Sequence, residues 1–572
     1  MLVRRIAIGL GIYAAVVGVS CPGLLAQVPA NHVHDLALLV SPELPCVWPV
    51  GMTPVAVVTN KSFGLSTERR DMLIIDEHTG TQWDAPAHFV PPPHSGLPGA
   101  GPNGLITGEK VPVWQFCGEA VVIDIREHCN DADNGSSFLI KPELVKEWES
   151  KNRALGPGDV VLFKSGYTDE YYKPFPYGDR FVATALRKQT PGWPAPTSDT
   201  MEYLGSKGVM TLGLDGASMG PLPDLAVATH QAGGKLGMVW IECGTNLDKL
   251  GTTGAFYAML PAKHSGGSGG ECRPIGITEP TLAKDLIERA RKKQVVDLSV
   301  TLHEDYPVTW PGREPGEEAS RYVSKTLNAF SKARGPYFAM THILDSQAGT
   351  HVVLPSTYLP PAKFDRSLFS TEIRNQLAKF ETKFGKLGSM QSTIDQAPLN
   401  EMMGRARVID VTSLVGSTDS ATWPASPVIP LDAIKNYEKQ SGPIAKGDVV
   451  LFRTGHSDMH YQSFPESPAL DPMMASPLAG KSEGWPTPST EVIEYLSNKN
   501  VRCIGTDAPR LGGVNQSQAT ELNWLIASRS IMVVEFLTNL KEIQDRDSFF
   551  IFAPIKIRGT TAGYGRAIAV YK

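Results

Sequence analysis

The sequence predicts a mixed α/β fold built twice in tandem, and three observations predict it. The chain has 572 residues, too many for one ordinary core. Long stretches recur in the same order in its two halves. Each half mixes short β-branched runs with amphipathic helical segments. Hydrophobic residues make up 42% and charged residues 20%, a soluble globular mixture that excludes a disordered or fibrous chain. A net charge of −5 leaves no basic excess for phosphate binding and excludes a nucleic-acid partner on electrostatic grounds.

The elements follow in chain order. Arg4 and Arg5 precede a short apolar run from Ile6 to Val19, with Ala26 as a small residue for cleavage. This is the pattern of a signal peptide over 1–26, and it predicts a secreted or periplasmic protein with no membrane association after cleavage. An uncleaved anchor is the alternative, disfavoured because the run is only about 14 residues long. The six later cysteines show no zinc-type spacing and read as buried thiols, with at most one or two bridges.

The first half spans 30–270. Within it, VVIDI at Val121, DVVLF at Asp159 and GMVWIE at Gly237 read as buried strands. LIKPELVKEWESKN from Leu139 and SDTMEYLGSKG from Ser198 read as helices with Pro and Ser/Asp start signals. The proline-rich stretch from His88 reads as an ordered loop of the kind that carries a site. SGGSGGECRP, Ser265 to Pro274, has linker composition. A linker is therefore expected over 271–289, with a helix running from Glu279 to Lys293. The second half, 290–572, repeats the first. GDVVLFKSGYTDEYYKPFP from Gly158 and GDVVLFRTGHSDMHYQSFP from Gly447 share 11 of 19 positions. GWPAPTSDTMEYL answers GWPTPSTEVIEYL, and WIECGTNL answers VVEFLTNL.

The densest chemistry lies in EHTGTQWDAPAHF from Glu77. His78, Gln82, Asp84 and His88 stand at i, i+4, i+6 and i+10, all even-numbered offsets, which places all four on one face of an extended strand. Two imidazoles, a carboxylate and an amide on one face suit a divalent cation. For any one of them a satisfied polar cluster is the alternative. His230 lies twelve residues before Glu242, which sits in an apolar strand-like run. A carboxylate there needs an ion pair or a metal, and these two readings stand level.

These residues resemble the cyclase superfamily, which includes bacterial kynurenine formamidases and isatin hydrolases. The family signature H-x-G-T-H-x-D-x-P-x-H stands here as HTGTQWDAPAH, and GLDGAS from Gly213 matches a further segment. The resemblance covers the mature chain twice. It implies two tandem cyclase-like domains, each a β-rich barrel-like core with flanking helices of the swivelling β/β/α type. It implies a metal set of His78, Gln82, Asp84, His230 and Glu242, with His88 as proton shuttle and Glu242 as a second catalytic residue. Gln82 departs from the family histidine. Its neutral oxygen suits Mn²⁺ better than Zn²⁺, so the expected cofactor is Mn²⁺ or Zn²⁺, as one or two ions.

The implied activity is metal-dependent hydrolysis of a small amide. Candidate substrates are N-formylkynurenine, from tryptophan catabolism, and the cyclic amide isatin, with Trp48, Trp83 and Phe89 near the motif as an aromatic wall. A secreted pseudoenzyme that binds a small ligand, or a lactonase or dehydratase on the same site, are the alternatives. GASMG has serine-elbow spacing, but Pro221 and Pro223 follow where that motif needs a helix.

The second repeat has Gln347, His351, Val353 and Thr357 at the four motif positions, and Asn523 aligns with His230 when Glu535 is matched to Glu242. A lost metal site is expected there; a reshaped one using His351, Glu521 and Glu535 is the alternative. The fused pair reproduces an intrachain pseudo-dimer, with domain two expected to support and wall the first site. Further homo-oligomerisation is compatible with this arrangement.

Overall fold

A strand that is apolar on both faces has to be covered on both. Cys117–Asp124, Asp159–Lys164, Thr211–Leu214 and Val239–Glu242 meet that demand by lying side by side in parallel. Alternate residues turn outward: Val121, Val161 and Leu212 pack under Val145 and Trp148 of helix Pro142–Lys151 and under Met201 and Leu204 of helix Ser198–Ser206. The other set, with Ala120, Val122, Val160 and Leu162, turns inward to a separate core. The first helix begins at Pro142, after Leu139–Ile140 forms a short strand, with that proline in its first turn; the second begins at its expected signal, where the Thr197 side chain caps it by accepting from Thr200 N–H.

The structure is a computed structural model that describes residues 27–129, 132–311, 322–333 and 335–572. The expected signal peptide, 1–26, lies outside the described residues. In the second repeat seven strands close on themselves. Ala562–Tyr571 pairs with His351–Val353 at one end of the ring and with Ser548–Pro554 at the other. In the first repeat the corresponding strand is broken: Gly269–Glu271 pairs with Gln82–Asp84, while Ile275–Ile277 pairs with Ala255–Ala258. The two β-rich barrels share one continuous core, in which Phe116, Phe256 and Tyr257 meet Phe550, Phe552 and Ile568.

A four-stranded sheet stitches the repeats together. Ala56–Lys61 and Arg70–Asp76 come from the first half, Val323–Asn328 and Ala339–Asp345 from the second. The central pair is antiparallel, with Ile74 opposite Ile343. Among the described residues no helix is long and apolar enough to cross a membrane. Cys46, Cys117, Cys129, Cys243, Cys272 and Cys503 are all free thiols, so no bridge joins them.

The linker expected over 271–289 is instead part of the barrels. Gly267 to Ile277 is buried throughout, and Pro280–Arg291 is a helix whose Leu282, Leu286 and Ile287 enter the shared core. Its glycines answer to space rather than flexibility. A Cβ at Gly269 would lie 2.1 Å from the carbonyl oxygen of Trp83. Gly269→Ala should therefore destabilise the protein by about 1–3 kcal/mol, as overpacking does. Gly156→Ala, where a Cβ meets nothing within 4 Å, should change stability by no more than about 0.5 kcal/mol. Denaturant unfolding of both variants checks this, and equal stabilities would restore the flexible-linker reading.

Candidate metal centre

The single strand expected to carry residues 78–88 is broken into three pieces. Strand Arg70–Asp76 ends before His78, a turn covers 77–81, and strand Gln82–Asp84 leads into a 3-10 turn at Pro86–His88. Two local features make the turn. Asp76 Oδ1 accepts the His78 N–H at 2.8 Å. Gly80 adopts φ +65°, with its would-be Cβ only 2.8 Å from Val40 Cγ2. A straight strand would hold residues six apart at about 20 Å. Here His78 Nδ1 lies 3.2 Å from Asp84 Oδ1.

Strand pairing supplies the remaining carboxylate. Gln82–Asp84 runs antiparallel to Val239–Glu242, with Glu242 opposite Gln82 and Trp240 opposite Asp84. His230 comes from helix Ala226–Lys235 and places Nε2 3.4 Å from Glu242 Oε1 and 3.6 Å from Asp84 Oδ2. His88 Nε2 lies 3.9 Å from Asp84 Oδ2, and its ring stacks on His78 with centroids 4.0 Å apart. Two overlapping groups of potential ligands result: His78, Asp84 and His88, and Asp84, His230 and Glu242. All are buried, and Asp84 belongs to both.

The donor set fits a divalent cation. His78 Nδ1 and Asp84 Oδ1 face each other, buried and without a hydrogen-bond partner. An imidazole lone pair and a carboxylate oxygen in that position repel unless a cation or proton lies between them. Gln82 takes a different part from the one the motif implies. A carboxylate only accepts, so the Gln82 amide nitrogen faces Glu242 Oε2 and donates to it at 2.9 Å. Met219 N–H and Ser218 Oγ–H donate to the other oxygen, at 2.6 and 3.1 Å. Trp240 Nε1–H donates to Asp84 Oδ2 at 3.0 Å.

Burial and the neighbouring Glu242 charge push the Asp84 carboxyl up to about 7. Burial, followed by the adjacent His78, brings His88 down to about 4. Burial alone would lower His230, but its hydrogen bond and ion pair with Glu242 outweigh that and raise it.

A cavity of about 180 Å³ opens beside these groups. Trp48 and Phe89 line it, as the sequence suggests. Trp83 does not; it points to the opposite face of its strand and packs edge-on against Phe116. Sequence reasoning missed Trp193, Ser218 and Tyr337. Trp193 had a signal, since it lies in the repeated GWP segment. Tyr337 had none, because it reaches the cavity from the second repeat. Next to it, Phe338 joins His88 through two bonds: its N–H donates to His88 O at 2.8 Å, and its carbonyl accepts from His88 Nδ1–H at 2.6 Å. The second repeat thus walls and braces the first site.

The profile of a family described as a putative cyclase matches 34–221 and again 296–512. The chain belongs to the putative cyclase family. It is similar to an isatin hydrolase of Roseibium aggregatum, 26% identical over 211 residues that span 36% of this chain and 73% of that protein. Among solved structures it is similar to isatin hydrolase A from Ralstonia solanacearum. There the identity is 21%, the match covers 51% of this chain and 95% of that one, and the TM-score is 0.38. A structure of an isatin hydrolase bound to the product analogue thioisatinate gives 19% identity, 52% and 100% coverage, and a TM-score of 0.37.

The two cyclase-family repeats differ at their centres. In the second, His351 pairs opposite Glu535, with Nε2 to Oε2 at 3.3 Å. Val353 takes the place of Asp84, and Thr357 spends its hydroxyl on the Thr561 carbonyl. Glu521, the alternative ligand, instead forms a 3.0 Å ion pair with Lys383 on the surface. Arg70, from the first repeat, fills the space between. It donates to Gln347 Oε1 at 3.0 Å and lies 3.6 Å from both Asp345 and Glu68. Among the described residues, both groups that could hold a metal belong to the first repeat.

Two outcomes follow. Arg70→Met leaves the buried Asp345 without its cation, so it should cost about 3–5 kcal/mol in denaturant unfolding. A proton competes with a cation for Asp84 below about 7. Apparent affinity for a divalent cation, read by chelator competition, should therefore rise as pH increases through about 7. The sign for stability is the reverse. Because the folded carboxyl holds its proton to a higher pH than the unfolded one, the Asp84 contribution to metal-free stability falls as pH rises toward about 7.

Proposed function

We propose that the chain is a metal-dependent hydrolase of a small cyclic or aryl amide, with an activity of the isatin hydrolase or arylformamidase type. The observation that carries this reading is the facing pair of atoms without hydrogen-bond partners, His78 Nδ1 and Asp84 Oδ1, beside a cavity that His78 lines together with Trp48, Phe89 and Tyr337. His78, Asp84, His230 and Glu242 would hold Mn²⁺ or Zn²⁺. A bound divalent ion supplies Lewis acidity toward a carbonyl and toward water.

The chain's own residues supply the rest. His88 Nδ1–H donates to the Phe338 carbonyl, so Nε2 is the bare nitrogen. With its pKa near 4, His88 is neutral at pH 7 and can take a proton from the attacking water. It then hands that proton to the leaving nitrogen. Trp48, Phe89 and Tyr337 offer flat apolar faces to an aryl ring and keep bulk water from it. The predicted signal segment supports an exported enzyme.

His88→Ala should lower kcat/KM on the amide by about 10²–10⁴-fold while Mn²⁺ uptake persists. The assay pairs metal analysis with a substrate panel of isatin, N-formylkynurenine and simple lactones. Loss of the ion in that variant would make His88 a ligand instead. A wild-type chain loaded with Mn²⁺ that turns over lactones and no amide would remove the amide assignment.

A further inference from the structure

Three imidazoles converge on Asp84, and each has one nitrogen that must be bare to serve a cation or to take a proton. For two of them the backbone decides which. His88 Nδ1 meets the carbonyl of Phe338 at 2.6 Å, and His230 Nδ1 meets that of Ala226 at 2.7 Å. A carbonyl only accepts, so both rings carry their proton on Nδ1 and present Nε2.

His78 is turned the other way. Its inward atom is Nδ1, and its outward Nε2 meets a hydroxyl, Ser268 Oγ, at 3.1 Å. A hydroxyl both donates and accepts, so serine alone leaves the tautomer open. Glu77 closes it. Glu77 Oε2 lies 2.7 Å from Ser268 Oγ and also receives the N–H groups of Ser268 and Met340, each at 3.1 Å. The serine has one hydrogen, and that hydrogen is committed to Glu77. Its oxygen can then only accept, from His78 Nε2–H.

We propose that Ser268 is a positioning residue that holds His78 in the Nε2–H tautomer, leaving the Nδ1 lone pair turned toward Asp84. The second repeat anchors the device. Glu77 N–H donates to the Met340 carbonyl at 3.2 Å while its carboxylate takes the Met340 N–H, and His342 Nε2 stands 3.5 Å from the other carboxylate oxygen. Gly267 makes room for that oxygen, since a Cβ there would lie 2.3 Å from Glu77 Oε1. Ser268 and Gly267 sit in the stretch whose composition reads as a linker. Partners of this kind around a metal-ligating histidine typically change metal affinity about 10–100-fold when removed.

The consequence for affinity rests on the metal-dependent reading above; the tautomer does not. The test uses the full chain, metal-free and labelled with ¹⁵N-histidine, with the His78 signals identified by their loss in His78→Gln. Wild type should show His78 protonated at Nε2 alone. Ser268→Ala should show a mixture of tautomers and, by chelator competition, Mn²⁺ affinity lowered about tenfold or more. Ser268→Thr, which keeps the hydroxyl, should restore both. Should Ser268→Ala not fold, Glu77→Gln takes its place, because an amide nitrogen facing Ser268 Oγ frees the serine proton for His78. An unshifted His78 tautomer in these variants, or unchanged Mn²⁺ affinity beside a shifted one, overturns the proposal. A wild-type chain that takes up neither Mn²⁺ nor Zn²⁺ overturns the metal-dependent reading instead, and the tautomer comparison still decides the role of the serine.

Discussion

Two carboxylates buried side by side govern this molecule. Asp84 and Glu242 lie in one cluster of ligand atoms, and both are buried. Such a pair is costly in a low-dielectric interior unless positive charge is brought to it. Apart from His230, the protein gives the pair neutral donors: an indole N–H on Asp84, and an amide, a hydroxyl and a backbone N–H on Glu242. Among the described residues no lysine or arginine pairs with either one. The charge deficit is left for a cation, and the strand register maintains it. Slipping Gln82–Asp84 by one residue would turn Trp83 into the cavity and drive Asp84 into the core.

The second repeat shows what the same scaffold does when the deficit is filled from within. Val353 removes the carboxylate equivalent to Asp84, and the guanidinium of Arg70 joins Asp345, Glu68 and Gln347. Arg510 adds a second cation, 3.8 Å from Glu68. The barrel, the flanking helices and the buried Asp507, which matches Asp215 in holding a loop by accepting backbone N–H groups, are all retained. The fold is thus kept without the first repeat's ligand set, and among the described residues both groups that could hold a metal lie in the first repeat.

The duplicated α/β architecture was legible because it rests on patterns that survive in one dimension: apolar runs, helix start signals and a repeat. The motif residues were legible as types but not as a shape. Even spacing suggests one strand face, whereas Gly80 and the Asp76 side chain reverse the chain between His78 and Gln82. Composition misled at Ser265–Pro274, because glycine marks either freedom or crowding, and only the neighbours distinguish them. Tyr337 and Met340 were invisible, since their roles depend on which strand of the other repeat lies beside them.

Fusion explains why the two centres could diverge. The arms that cross between repeats are the segments leading into Arg70–Asp76 and Ala339–Asp345, which pair antiparallel at the middle of the shared sheet. Glu68 stands just before the first strand and Tyr337 just before the second, and each lines the opposite repeat's pocket. In a pair of identical subunits these two positions must carry the same residue, so an aromatic wall for one site would be an aromatic wall for both. One continuous chain lifts that restraint. Tyr337 can shape the first cavity for an apolar ring while Glu68 and Arg70 neutralise the second. The Met340 amide can likewise hold Glu77 without an equivalent demand at Ser346, which occupies Glu77's place in the second repeat.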